Sequence, residues 1–267
     1  MQDGSTQRGR KSYSKANEIA VALRETRFDH VRSGKEIVRH AALKIGASRL
    51  MDYYSQKRGY LVLNENGQDP GAVFSKIYDE GGWIHSETQE SRSGLGSSVA
   101  ATSGLFNEIC SAMAILGAQS LVDVGCGDWN WMSREEFSIS YTGVDVVPSI
   151  IEENSKHSRE NVNFKLCDVT KEVPPKADMA LRREVLFHLS FDDAKKAIDN
   201  IKKSVKYICA TSDTTNWFNS DIRTGGYRAL NLFRRPFRFP EPVYLIEDSF
   251  VTPGRILGIW HVEQLPE

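Results

Sequence analysis

The sequence predicts a doubly wound α/β fold, and three observations carry that prediction. Short apolar runs alternate with amphipathic helical stretches from about residue 105 onward. The first run, Leu121-Val122-Asp123-Val124, enters a tight glycine turn, Gly125-Cys126-Gly127. Three of the runs end in an acid, Asp123, Asp145 and Asp168. Strands that alternate with helices build a parallel sheet joined by right-handed crossovers.

The elements follow in order. Residues 1–14 are polar with almost no apolar anchor and read as a disordered tail. Residues 15–90 read as a helical accessory region, with Ile19 and Leu23, then Ile37, Val38, Ala41, Ala42 and Ile45 recurring at three- and four-residue steps. A hairpin is expected around Tyr60–Leu63 and Asn66-Gly67. The accessory region could cap a site or mediate a homodimer, and the sequence decides neither. Residues 91–267 form the main domain, opening with the loop Ser91-Arg92-Ser93-Gly94-Leu95-Gly96-Ser97-Ser98 and a helix that ends at Gly117.

Strands are expected at Leu121–Val124, Tyr141–Asp145, Phe164–Cys167, Asp178–Leu181 and Tyr207–Thr211. A helix should follow the glycine turn, and Pro148 suits the first turn of the next one. Ser190 with Asp193 resembles a capping box for a helix whose Ala194, Ala197, Ile198, Ile201 and Val205 make one apolar stripe. Val243–Ile246 and Ile256–Trp260, separated by Pro253-Gly254, bring the strands to seven.

The chain has 267 residues, enough to bury a full core as one large or two small domains. Its net charge of −1 supplies no global basic field for nucleic acid or an anionic membrane. The four cysteines, Cys110, Cys126, Cys167 and Cys209, form no Cys-x-x-Cys pair and read as free thiols in a reducing cytoplasm. No stretch reads as approaching the roughly 18 apolar residues of a spanning helix, and the first segment lacks a signal-peptide core. The expectation is a cytoplasmic protein.

The glycine turn gives the chemistry. Such a turn lets a cofactor approach bare backbone. A dinucleotide site wants Gly-x-Gly-x-x-Gly with a pyrophosphate at the helix N-terminus. Here the third glycine position is Asn130, and the Asp128 carboxylate would repel a pyrophosphate. It suits a ligand carrying ammonium and sulfonium charge, which S-adenosylmethionine is. Asp145 lies 22 residues after Asp123, where such folds place the acid that holds the ribose hydroxyls. Asp168 follows one unit later, where a carboxylate can take the adenine amino group.

With Asp123-Val-Gly-Cys-Gly-Asp128, Gly143-Val-Asp145, Cys167-Asp168 and Asp178-Met-Ala-Leu-Arg-Arg-Glu-Val-Leu-Phe-His188-Leu, the chain resembles the class I S-adenosylmethionine-dependent methyltransferases over roughly residues 100 to 267. The resemblance implies a Rossmann-like, mostly parallel seven-stranded sheet with an antiparallel last strand. It also implies S-adenosylmethionine as cofactor, held by Arg92, Asp123, Gly125, Cys126, Gly127, Asp128, Asp145, Val146, Asp168, Val169 and Arg182. No metal is expected, because the sequence shows no compact ligand cluster.

The run after the fourth strand lies beside the switch point, where ligands of open α/β sheets sit. In a helical turn there, Glu184 and His188 would share a face, and either could act as general base. The alternatives are that His188 packs structurally and that Glu184 pairs with Arg182 or Arg183. A long aperiodic segment follows the fifth strand. Its Asn216, Asp-Ile-x-Thr-Gly and Arg228-x-Leu-Asn-Leu, with the 91–98 loop and Asp128-Trp-Asn-Trp131, are similar to a bacterial methyltransferase group that accompanies glycosyltransferases. That likeness implies a small-molecule or glycan acceptor methylated on a sugar hydroxyl, with Arg183, Asn216, Trp217, Asp221, Tyr227 and Arg228 binding it. Asp221 and Arg228 could equally form a mutual ion pair. Two other readings stay open: a methyltransferase acting on RNA or another anionic small molecule through Arg223, Arg228, Arg234, Arg235 and Arg238 interleaved with Phe233, Phe237 and Phe239, and a cofactor-binding module without chemistry.

Overall fold

The computed structural model describes residues 69–267, so the expected tail, the helices up to Tyr54 and the hairpin near Asn66 lie outside the described residues. Seven strands form one sheet: β1 (Ser120–Val124), β2 (Ser140–Asp145), β3 (Val162–Leu166), β4 (Met179–Arg182), β5 (Tyr207–Asp213), β6 (Tyr244–Glu247) and β7 (Arg255–His261). Their spatial order is β3-β2-β1-β4-β5-β7-β6. The first five are parallel, and β7 runs antiparallel to both β5 and β6. This is the Rossmann-like arrangement expected, with β7 inserted between β5 and its own hairpin partner. The chain reverses direction in strand order between β1 and β4, which opens a crevice at their carboxyl ends.

Each face of the sheet is covered by different elements. On one face pack α1 (Pro70–Asp79), α4 (Pro148–Ser155) and α5 (Phe191–Lys202), around Val122, Val124, Val144, Ala180, Ile208 and Ala210. The short α2 (Val99–Thr102) leads into α3 (Leu105–Leu116), whose Leu105, Ile109, Ala112 and Met113 cover Leu121, Met179, Leu181 and Cys209 on the other face. Residues 99–116 together do reach 18 residues of apolar character, contrary to the sequence expectation. The break at Ser103-Gly104, where Gly104 adopts φ 77°, bends this stretch onto the sheet.

α5 forms as its pattern predicts. Ser190 Oγ accepts from the Asp193 N–H at 3.1 Å, Asp192 and Asp193 lie in the first turn, and the Ala194, Ala197, Ile198 and Ile201 stripe is buried. Burying each isoleucine is worth about 1.5–3 kcal/mol. The helix expected after the glycine turn is absent. A single 3-10 turn at Met132–Arg134 stands in its place. The aromatic residues explain this: Trp129, held at φ 54°, stacks on Phe137 and meets Phe164 edge-on, and Trp131 is also buried. The connection is spent on filling the core rather than on helix.

At the opposite edge of the sheet, the Asp178 carboxylate accepts from the Gln119 N–H at 3.0 Å, Ser120 Oγ at 2.8 Å and Lys206 Nζ at 3.1 Å. It thereby ties the starts of β1, β4 and β5. The Gln119 N–H, then Ser120 and Lys206, hold its carboxyl down to about 2. A depressed carboxyl stabilises the fold above its unfolded value near 3.8 and loses that contribution as pH falls through about 2. Asp178→Ala should therefore lower unfolding free energy at pH 7 by about 1–3 kcal/mol in urea titrations. The deficit should shrink on acidification toward pH 2; equal stability of the two proteins at pH 7 would contradict this account.

Candidate functional site

The glycine turn is packed against a loop that the sequence leaves irregular. Gly125 and Gly127 adopt φ 83° and 56°. A Cβ on Gly125 would lie 2.6 Å from Val185 Cγ2, and one on Gly127 2.3 Å from Ser93 Oγ. Only glycine permits both the backbone angle and the contact. Asp128, expected to face the cofactor, instead accepts from Ser91 Oγ at 3.0 Å, Ser93 Oγ at 2.9 Å and the Arg92 N–H at 2.6 Å. Its charge is spent on fastening the 91–93 loop over the turn. Arg92 pairs with Glu153 at 2.9 Å on the surface.

The three spaced acids do converge. Asp123, Asp145 and Asp168 line one cavity at the carboxyl ends of β1 to β4, together with Gly125, Cys126, Gly127, Val146, Val169, Arg182, Arg183, Glu184 and His188. Tyr141 Oη donates to Asp123 at 2.8 Å. Burial, opposed by that bond, pushes the Asp123 carboxyl up to about 7. Asp145 accepts from the N–H groups of Gly127 and Val147, both at 3.0 Å, and burial raises it despite them. Asp168 accepts from the Thr170 N–H at 3.0 Å and pairs with Lys171 at 2.9 Å.

One wall of the cavity comes from a segment that the sequence reading groups with the accessory region. Pro70, Phe74 and Tyr78 of α1, and Trp83 beyond it, line the same space. Tyr78 Oη and Ser93 Oγ lie 2.8 Å apart. The signal was present in the sequence, since Val73, Phe74 and Ile77 recur at helical steps after a proline at the first turn. An aromatic wall suits a sulfonium cation. The cavity therefore offers carboxylates for amino and hydroxyl groups, a cradle a Cβ would fill, and aromatic faces, and S-adenosylmethionine fits that donor set.

The residues after β4 do not form one helix face. Glu184 stands at φ 58° before a 3-10 turn, Leu186–His188, and its N–H donates to Thr211 Oγ1 at 2.8 Å. It pairs with Arg255 at 2.5 Å rather than with Arg182 or Arg183, and Arg255 also donates to Tyr227 Oη at 3.2 Å. Arg183, expected at the acceptor, makes a buried bidentate pair with Asp248, both bonds 2.9 Å, and donates to the Gly96 carbonyl at 2.6 Å. Arg182 is fully buried, and none of its three guanidinium nitrogens has a hydrogen-bond partner among the described residues. His188 Nδ1 lies 2.8 Å from the Gly226 carbonyl, and its ring meets Trp83 at 5.1 Å and Phe187 at 4.7 Å.

The 213–231 segment is ordered by its own polar groups. Asn216 donates to the Ala229 carbonyl at 2.7 Å, and Asn219 to the Asn231 carbonyl at 2.7 Å. Asp221 accepts from the Phe191 N–H at 2.7 Å, at the start of α5. Arg228 donates to the Leu189 carbonyl at 2.5 Å and lies 4.7 Å over the Phe191 ring. Three residues expected to hold the acceptor thus fold the loop onto α5 and itself, because a long loop must satisfy its own backbone. Trp217 and Tyr227 remain exposed, at 56% and 40%. Of the aromatics in the arginine-rich stretch, Phe237 and Phe239 are buried in the core.

A family model described as a methyltransferase domain matches residues 122–207. Among curated proteins no relative matches the chain. The fold is that of magnesium protoporphyrin IX methyltransferase from Synechocystis PCC 6803, solved with bound SAM, at 11% identity and a TM-score of 0.50 over 73% of this chain and 98% of that one. The methyltransferase domain of bacterial CtHen1 is also similar, at 16% identity, TM-score 0.43, 60% of this chain and 99% of that one. So is the N-methyltransferase NodS from Bradyrhizobium japonicum WM9, at 15% identity, TM-score 0.42, 62% and 98%.

The raised Asp123 carboxyl has a consequence for binding. An ammonium group seated on Asp123 would pair with the ionised form, and S-adenosylhomocysteine held in that way should bind more tightly as pH rises through about 7, with a proton released below that pH. Calorimetry between pH 6 and 8.5 in buffers of different ionisation heat checks this. Asp123→Asn should bind more weakly and lose the pH dependence, whereas a persistent dependence would place the titrating group elsewhere.

Proposed function

On the premise that this chain carries a class I methyltransferase domain using S-adenosylmethionine as methyl donor, we propose that it methylates a hydroxyl oxygen, with His188 as general base. The observation that carries this reading is the contact of His188 Nδ1 with the Gly226 carbonyl. A carbonyl can only accept, so the 2.8 Å contact with the Gly226 oxygen assigns the ring proton to Nδ1. Nε2 then holds a lone pair on a residue that lines the cavity. Burial lowers the imidazole to about 4, so the ring is neutral at physiological pH and its Nε2 lone pair is free, while its basicity is below that of a free imidazole.

The cofactor supplies a methyl carbon already activated by its sulfonium. The protein has to align the acceptor and remove its proton. Trp83 and Phe187 fix the plane of the imidazole. His188 Nε2 would take the hydroxyl proton as the acceptor oxygen displaces sulfur from the methyl carbon, the carbon–sulfur electron pair leaving on the neutral thioether of S-adenosylhomocysteine. The Glu184 carboxylate is already engaged, held by Arg255 as an ion pair. Glu184 lines the cavity, and behind it Arg255 also donates to Tyr227 Oη. An amine acceptor would need no such base once deprotonated, which is why an oxygen acceptor is favoured.

For the acceptor, we propose a sugar hydroxyl of a glycan or glycoconjugate. The likeness of the 91–98 and 213–231 stretches to methyltransferases that accompany glycosyltransferases supports this. So do the exposed rings of Trp217 and Tyr227, which suit stacking on a sugar. An RNA acceptor is less favoured, because Phe237 and Phe239 are core residues and cannot stack on bases.

The reading is tested by methyl transfer to nucleotide sugars, glycan fragments and RNA, with the methylated atom located by mass spectrometry. Transfer to nitrogen would overturn it. With the acceptor so found, His188→Ala should lower kcat by about 10²–10⁴ while S-adenosylhomocysteine binds as before. With the cofactor saturating at every pH, the acid limb of kcat/KM for the acceptor should fall near pH 4 and not near 6.5. Turnover within a few-fold of the parent would remove His188 from the mechanism.

A further inference from the structure

Arg182 carries a charge for which the described residues supply no hydrogen-bond partner, although the side chain is fully buried and lines the cavity. Burying an unpaired guanidinium is costly, and natural proteins keep such groups where a ligand completes them. A ligand seated here must offer hydrogen-bond acceptors. Three parts of the reaction could do so: the adenine ring, the methionine carboxylate, or an anionic group on the acceptor.

The position of Arg182 separates them. In the β1–β4 ladder Leu181 lies beside Asp123, so Arg182 stands one residue beyond the last paired row. It alternates with Leu181 and so shares the face of Ala180, Val122 and Val124, opposite the face on which Tyr141 holds Asp123. The ionisable group whose charge bears on its guanidinium is Cys167, just past the end of β3, and Cys167 immediately precedes Asp168. The side chain thus reaches toward the β3 end of the cavity, whose lining it shares with Asp168.

We propose that Arg182 donates hydrogen bonds to the ring nitrogens of the cofactor's adenine, opposite the amino group that Asp168 accepts. Adenine presents one amino donor and three ring-nitrogen acceptors. A carboxylate and a guanidinium in one pocket match that set, and together they select adenine over a purine bearing a 6-keto group.

Equilibrium binding tests this without an acceptor, using S-adenosylhomocysteine and 5′-methylthioadenosine, which lacks the amino acid end. Arg182→Met should weaken both ligands by the same factor, about tenfold to a hundredfold, the span of a hydrogen bond to a charged group. A loss for S-adenosylhomocysteine alone would assign Arg182 to the carboxylate and overturn the proposal. No loss for either would assign it to the acceptor or to structure, and would overturn the proposal equally. Because the variant could alter folding, the parent protein supplies a second readout. At least one of the 1-, 3- and 7-deaza forms of S-adenosylhomocysteine should bind about tenfold more weakly than the natural ligand, and that penalty should vanish in Arg182→Met. If all three deaza forms bind the parent as tightly as the natural ligand, the proposal fails even though the cofactor itself binds.

Discussion

The site depends on one buried guanidinium. Arg183 leaves the end of β4, grips Asp248 at the end of β6 through two bonds, and reaches the Gly96 carbonyl with a third. Sheet edge, hairpin and the loop over the glycine turn are thereby fixed to one rigid, planar group. A buried ion pair gains little net stability over an apolar pair, since desolvation offsets attraction. What it does gain is geometry, because a fork with three directed bonds accepts one arrangement of its partners. Glu184 follows directly, in a left-handed conformation, with its carboxylate against Gly96 where a Cβ would meet it at 1.7 Å.

From that anchor outward the cavity is a set of charges held away from water. Asp123 and Asp145 are raised by burial, while Arg182 and His188 are lowered by it. Each shift has the sign expected when the charged form is disfavoured by a low dielectric. The protein bears this cost at the crevice and nowhere so densely elsewhere among the described residues. The carboxyl edge of the sheet is therefore the least self-satisfied part of the fold, as expected of a surface shaped for a ligand.

Much of this was legible in the residues. The strands were, because each is an apolar run whose length and flanks leave little choice, and Asp123, Asp145 and Asp168 fall where those runs stop. Segments without periodicity hid more. The glycine turn resembles the start of a helix, yet Trp129 and Trp131 draw the chain into the core instead. Arg183 and Asp248 are 65 residues apart in sequence, and nothing local marks them as partners. Asn216, Asp221 and Arg228 look like ligand-binding groups because they are polar and sit in a loop beside the crevice. The same polarity serves a loop that must bond to itself, and only the fold says which demand is met. Residues 99–116 show the converse, an apolar stretch long enough for a membrane that one glycine bends into a core helix.

The asparagine ladder of the 213–231 segment has a further effect. Asn216, Asn219 and Asn231 bond to backbone carbonyls on both sides of the loop, and Trp217 projects from between them with more than half its surface in water. An indole on a slack loop would tend to fold back and would have to be ordered again at each encounter. Here the ordering entropy has already been spent in folding, so a partner meeting that ring forfeits less of the contact energy to immobilising it.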